Sequence, residues 1–151
     1  MSIVVEVRFP PGKLPSPQAW QESIAANNFA VEIDSDFDPV TMTGFLPATY
    51  KGQPAGFEYL YDLETNEQSC VSLSWSGRAR EAVSGLIAAA CLCHLTTGHL
   101  VDTEAGDTIE AFSVIAWARQ CEIDFQQMLE EENVTPAKVT QPRVKPKWRF
   151  W

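Results

Sequence analysis

Alternation of hydrophobic and polar residues marks β-strands in the first half of the chain. Every second residue from 3 to 9 is apolar, and the run ends at Pro10-Pro11-Gly12, which is typical of a half-buried strand. Similar alternation predicts strands at 29–33, 40–46, 56–61 and 69–75. Because turn residues separate the last three of these, we expect them to pair in antiparallel fashion.

Hydrophobic residues three and four positions apart predict three helices. The first is short, with Ser16 placed as its N-cap and Pro17 as its first residue. The second spans about residues 77 to 95, and its small residues would let it lie close to a sheet. The third spans about residues 108 to 130. A short strand is expected between the two long helices, at 99–102.

The start of the third helix carries a local signal of its own. Glu110 follows Asp107 by three residues, as in a capping box.

Strand-rich and helix-rich stretches segregate along the chain, which indicates an α+β fold rather than an alternating α/β fold. We therefore expect an antiparallel sheet of about four to six strands, with two long helices and one short helix packed on it. No Gly-rich phosphate turn is present.

The length and composition fit one domain followed by a tail of different character. A chain of 151 residues with 45% hydrophobic content can bury its own core, and residues 3–133 are expected to form a single α+β domain. Residues 134–151 are basic and aromatic, and prolines within them favour an extended course. We expect this tail to dock through Trp148, Phe150 and Trp151, either on its own chain or on a second copy in a homodimer.

Charge is distributed unevenly between these two parts. Residues 1–133 contain all twenty acidic residues and six basic ones, a net charge of −14, whereas residues 134–151 carry +5. Such an acidic body repels nucleic acid and anionic membranes, so the expected partner is a basic protein. The residues expected to contact it are Glu32, Asp34, Asp36, Asp38, Asp62, Glu64, Asp102 and Glu104.

The cysteines and the apolar segments bear on location. The four cysteines form no CxxC pair, and residues 1–12 lack the features of a secretory signal, so reduced thiols in the cytoplasm are expected. The most apolar run, residues 82–95, is shorter than the roughly 18 to 20 residues that span a bilayer. No spacing of cysteine and histidine predicts a metal or another cofactor.

One polar stretch supports an alternative function. His94 and His99 precede Asp102 and Asp107, and these side chains could line the site of a small enzyme or a ligand-binding domain. The simpler interpretation is that His94 interacts with helix-terminal carbonyls while the acidic residues cap turns. The D-x-D-x-D start of a calcium loop at 34–38 lacks the later glycine and glutamate of that pattern. No residue is predicted to be catalytic.

The general layout resembles small bacterial immunity proteins of toxin–immunity systems. The resemblance covers about residues 3 to 130 and rests on an acidic α+β body whose Ala-rich helix leads through TTGHLVDTEAG into another helix. It implies a non-enzymatic inhibitor that neutralises a basic cognate toxin through an acidic surface. It assigns no functional residue.

Overall fold

The computed structural model describes residues 3–62 and 68–134, and these residues confirm the α+β fold class. The tail, with its expected docking through Trp148, Phe150 and Trp151, lies outside them. The described elements in chain order are β1 (Ile3–Phe9), α1 (Pro17–Ala26), β2 (Val31–Ile33), β3 (Thr43–Tyr50), β4 (Gln53–Asp62), β5 (Ser69–Trp75), α2 (Ala79–Thr96), β6 (His99–Asp102), β7 (Thr108–Glu110), α3 (Val114–Asp124) and α4 (Gln126–Val134).

Within the described residues, the strands form one seven-stranded sheet in the order β2-β3-β4-β5-β1-β6-β7. Every neighbouring pair is antiparallel, as expected. The sheet has one strand more than the upper end of the expected range, and the short β7 was not anticipated as a strand. β1 lies inside the sheet, between β5 and β6, rather than at an edge.

The described helices form a single layer on one face of the sheet. α2 lies against the central strands, and α1, α3 and α4 each pack against α2. The approach of α2 to the sheet is close at Gly85, where an added Cβ would stand 2.5 Å from ring atom Cε3 of Trp75. The backbone N–H of Gly56 in β4 donates to Ser84 Oγ of α2 at 3.3 Å, which ties the two layers together.

α1 forms as predicted and closes one side of the helix layer. Ser16 Oγ accepts a hydrogen bond from the backbone N–H of Ala19 at 3.1 Å, so Ser16 is the N-cap. The buried Trp20 donates through Nε1 to the carbonyl of Ala88 in α2 at 2.9 Å. Because an unpaired indole N–H would be costly inside the core, this bond fixes how α1 sits against α2.

The side chain of Gln21 in α1 occupies the outer edge of β2. Its Oε1 accepts from the backbone N–H of Ile33 at 2.7 Å, and its Nε2 donates to the carbonyl of Val31 at 3.1 Å. One side-chain amide thus makes both bonds that a neighbouring strand would make. The edge strand is therefore not open to strand addition at this point.

The third predicted helix differs from expectation at both ends. The capping-box prediction was wrong, because Glu110 lies in β7, paired with His99 of β6, and α3 begins only at Val114. Pairing with β6 draws this segment into the sheet and overrides the local helix signal. The helix is also interrupted at the buried Phe125 and continues as α4. The strand predicted at 40–46 is observed at Thr43–Tyr50.

The interruption at Phe125 directs the buried Glu132 of α4 to the beginning of α2. The carboxylate of Glu132 accepts hydrogen bonds from the backbone N–H groups of Ala79 and Arg80. Arg78, the N-cap residue of α2, makes no capping bond through its side chain. Glu132 therefore replaces the missing N-cap, and its negative charge also suits the positive end of the helix dipole.

Candidate protein-binding surface

The face of the sheet opposite the helices is not covered by any element of the described residues. On β1, residues 3, 5, 7 and 9 are buried beneath the helices, whereas Val4, Glu6 and Arg8 on the other face remain partly accessible. Phe45 of β3 and Leu60 of β4 are 47% and 46% exposed on the same side. An antiparallel sheet with one packed and one solvent-facing side is common. The register makes Phe45 and Leu60 diagonal neighbours, so together they form a small apolar patch on that side.

A shallow trough runs along β5 in the centre of this open face. β5 contributes only the small side chains of Cys70, Ser72 and Ser74 to this face, of which Ser72 and Ser74 are partly accessible and Cys70 is buried. The registers place larger side chains on both sides of the trough. The wall on β4 comprises Glu58, Leu60 and Asp62, and the wall on β1 comprises Val4, Glu6 and Arg8. We call this feature the β5 trough, and its form suits an extended peptide whose side chains pack into it.

The open face is acidic as well as partly apolar. Among the described strand residues on the walls and at the far edge, Glu6, Glu58, Asp62 and Glu110 are carboxylates, and Arg8 is the only cation. Arg8 donates two hydrogen bonds to Glu6 Oε1 on the same strand, one from Nε at 3.0 Å and one from Nη2 at 2.5 Å. Since that pair neutralises itself, the remaining carboxylates give the face a negative potential that would attract a basic partner.

A groove opens at the end of the trough where β5 leads into α2. Its volume is ≈230 Å³, and Phe45, Glu58, Trp75 and Glu81 are among its lining residues. A cavity of about 150 Å³ can hold a benzene ring, so this groove has room for an aromatic side chain. Burial raises the pKa of Glu81, and the charges of Glu132 and Glu58 raise it further against the opposing effect of nearby arginines. A basic group entering the groove would relieve that repulsion.

The acidic residues singled out from sequence do not form one surface. Glu32 lies on β2 at one side of the sheet, and Asp34, Asp36 and Asp38 are exposed in the loop that follows. Asp34 and Asp38 each accept a hydrogen bond from a backbone N–H two residues further on, which fixes local turns. Asp102 and Glu104 belong to the opposite side, about 24 Å away at the usual strand spacing.

The other members of that set have different surroundings. Asp62 is exposed at the end of β4 and forms part of the β5 trough. Asp102 is buried, and its carboxylate accepts hydrogen bonds from the backbone N–H groups of Glu104 and Ala105, so it stabilises the turn after β6. Glu104 is exposed in that turn, and Glu64 lies outside the described residues.

The residues of the alternative enzyme site are not brought together. His94 is exposed at the end of α2, where Nδ1 lies 3.4 Å from the carbonyl of Ala111, whereas His99 lies on the open face of β6. The two histidines therefore occupy opposite sides of the sheet. Across residues 3–62 and 68–134, no three His, Cys, Asp or Glu side chains are grouped closely enough to hold a metal ion.

The four cysteines carry free thiols, and all four are buried. Burial raises the pKa of both Cys91 and Cys93 to about 12, and Glu110 adds to the effect at Cys93. A thiol with so high a pKa is a poor nucleophile near neutral pH, since the thiolate is the reactive form. Cys91, Cys93 and Cys121 act as small hydrophobic residues of the core.

Sequence reasoning missed the residues that make the open face distinctive. Phe45, Leu60 and Glu58 were assigned to strands, but the sequence does not show which strands are neighbours. The alternation of small residues with large apolar residues in SCVSLSW was the available signal for a strand with only small side chains on one face. It indicates a trough only once larger side chains are known to flank it, as β4 and β1 do.

Comparisons with protein-family models, with curated proteins and with solved structures found no match to this chain. Its function is therefore argued from the surface itself.

None of the helices in the described part of the chain has the length and apolar character needed to cross a membrane.

Proposed function

We propose that this chain is a non-enzymatic protein-binding module that binds a basic partner through the open face of its sheet. One observation carries the proposal: a β5 trough of small side chains, flanked by the half-exposed Leu60 and by carboxylates on β4 and β1. Apolar contact would supply affinity, and the carboxylates would set the orientation and speed of association. Neither role requires chemistry by the binding residues.

The specific form of this proposal is an immunity protein that neutralises a basic toxin. The resemblance in layout and the acidic character of the chain support it. Free, buried thiols are consistent with our proposal of a cytoplasmic location. The test is to express the product of the adjacent gene with and without this chain. Growth only in the presence of this chain would support inhibition, and equal growth would count against it.

The binding site is tested by charge reversal on two surfaces. The double variant Glu58→Lys/Asp62→Lys alters the β5 trough, and Asp34→Lys/Asp36→Lys is a control of equal charge change on the exposed loop after β2. Proteins retained from a lysate of the source organism by each immobilised variant are compared by quantitative mass spectrometry. We expect basic proteins to be lost from the trough variant only. Loss from the loop variant alone would move the site to the loop.

A salt series and one further variant separate this proposal from the enzyme alternative. Association steered by exposed charges slows as ionic strength rises, because exposed charges more than about 8 to 10 Å apart are largely screened near physiological salt. His99→Ala is expected to leave binding unchanged. Normal binding by the Glu58→Lys/Asp62→Lys variant, together with loss of function in His99→Ala, would favour a site around His99 instead.

A further inference from the structure

The described part of the chain ends close to one end of the β5 trough. Glu132, two residues before the end of α4, is hydrogen-bonded to Ala79 and Arg80 at the start of α2. That start lies only a few residues after Trp75, where β5 and its trough end. Residues 135–151 therefore continue from the same end of the sheet at which the groove beside Phe45 opens.

Three depressions lie near this point, and charge distinguishes among them. One, of ≈270 Å³, has Lys51, Arg80 and Glu130 among its lining residues, and another, of ≈300 Å³, has Arg78, Arg80 and Glu81. The third is the groove that carries Glu58 and Glu81 and leads into the trough. Residues 138–149 contain five basic residues and no acidic one. Each of the first two depressions places two cations beside one carboxylate, whereas the groove has two carboxylates and no cation among its lining residues, so electrostatics favour the groove.

We propose that residues 142–151, PRVKPKWRFW, lie along the β5 trough of their own chain and cover the open face of the sheet. The occupant is thus the chain's own C-terminal segment. Its Lys and Arg side chains face the carboxylates of Glu58 and Asp62, and Glu6, which already pairs with Arg8, lies on the opposite wall. Its first residues lie beside Phe45 and Val4, and its aromatic rings, which come later in the segment, pack on Leu60 and towards the far end of the trough.

The length of the segment fits this course. At about 3.1 Å per residue in an extended, proline-rich conformation, the seventeen residues 135–151 span about 53 Å. The seven residues of β5 span about 23 Å at strand spacing. Residues 135–141 are therefore long enough to pass the end of the sheet, and the last ten residues are long enough to follow the trough to its far end.

The chemistry of docking suits side chains rather than backbone pairing. The strands on both sides of β5 are already hydrogen-bonded to it, so the trough offers no free sheet edge. Pro142 and Pro146 lack an N–H group and would not leave a backbone donor unpaired against the sheet at those positions. Tryptophan and phenylalanine supply large apolar area, and lysine and arginine supply charges opposite to those of the walls.

This inference concerns the free protein and stands whether or not a partner exists. If the proposed function also holds, the tail and the basic partner compete for one surface. Tail docking is therefore tested in the purified full chain, without any partner, so that its failure is distinguishable from failure of the proposed function.

The test is carbodiimide cross-linking, which joins lysine amines to carboxylates only when the two groups are in contact. An equal mixture of ¹⁵N-labelled and unlabelled full-length chains is cross-linked, digested and analysed by mass spectrometry. We expect links from Lys145 or Lys147 to Glu58, Asp62 or Glu6, and only between peptides of the same isotope. The double variant Glu58→Gln/Asp62→Gln should lose the links to those two positions, whereas Asp34→Asn/Asp36→Asn should keep them.

Each other outcome overturns the proposal. Links between peptides of different isotope would assign the trough to the tail of a second copy. Links mainly to Asp34, Asp36 or Asp38 would place the tail on the loop after β2, and the absence of links to Glu58, Asp62 and Glu6 would leave the trough uncovered. A second measurement guards against slow chemistry: in the Leu60→Ser variant, which alters only an exposed strand position, trypsin cleavage after Arg143 and Lys147 should become faster than in the unaltered chain. Equal cleavage would also contradict docking.

Discussion

Glu132 Oε1 lies 3.3 Å from the backbone nitrogen of Arg80, a residue 52 positions earlier, and the same carboxylate also accepts from Ala79. This contact closes the first turn of α2, the most buried helix of the described fold. A helix normally receives this bond from its own N-cap residue. Here a different helix supplies it, so the position of α4 and the stability of α2 are linked.

We expect Glu132→Ala to destabilise the protein by about 1 to 3 kcal/mol, because it leaves buried N–H groups of α2 without their acceptor. Urea denaturation followed by circular dichroism measures the change. Glu130→Ala, at an exposed position of the same helix, is the control and should change stability by less than about 0.5 kcal/mol. Equal effects of the two substitutions would show that the capping bond is unimportant.

Glu81 provides a prediction of pH dependence. Because desolvation raises the folded-state pKa of Glu81 above the ordinary value of a glutamate, ionisation of Glu81 opposes folding. This unfavourable contribution is absent below the unfolded pKa, grows as pH rises towards the folded pKa and is constant above it. Glu81→Gln should therefore become more stable relative to the unaltered protein as pH rises from 4 to about 7. Melting temperatures across that range test this, and a constant difference would contradict it.

The close contact between α2 and the sheet at Gly85 leads to a prediction about substitution at this position. A methyl group there would meet the Trp75 ring, so Gly85→Ala should cost about 1 to 3 kcal/mol despite the better helix propensity of alanine. In a Trp75→Leu background the same substitution should cost clearly less, because the ring is gone. Chemical denaturation of the four proteins forms a double-mutant cycle. Additive effects would mean that the ring does not restrict position 85.

The buried thiols predict slow modification of the native protein. With the pKa of Cys91 and Cys93 raised to about 12, little thiolate exists at pH 8, and burial also limits access of reagents. We expect a disulfide reagent such as DTNB to react slowly under native conditions and with four thiols in denaturant. Rapid native reaction of Cys91 or Cys93 would contradict the described burial.

The periodicity of the sequence was sufficient to predict the fold class, β1, α1 and α2. These elements are specified locally, by alternation in residues 3–9, by the Ser16 cap and by the continuous apolar run of α2. The start of α3 was not predictable in this way, because the Asp107 and Glu110 signal lost to strand pairing across the sheet. Local preference decides an element only where no long-range partner competes for it.

The candidate surface was less accessible to sequence reasoning. The acidic run at 130–132 resembles a solvent-exposed surface, yet Glu132 is buried because the chain turns at Phe125. The negative charge was evident from composition, but its placement depends on strand order. Asp62 was identified, whereas Glu58 and Leu60 became notable only when β5 was found beside them.

The interior position of β1 has a consequence for how the chain folds during synthesis. β1 is the first described strand to be made, yet its two neighbours in the sheet are residues 69–75 and 99–102. Until about seventy more residues have been made, Val5 and Val7 have no sheet to join, whereas β3, β4 and β5 pair locally as a meander. Such long-range closure slows folding and leaves apolar strand surface exposed on the nascent chain. We therefore expect the insertion of β1 and the addition of β6 to come late in assembly, and β1 to be the described strand that stays unpaired longest on the nascent chain.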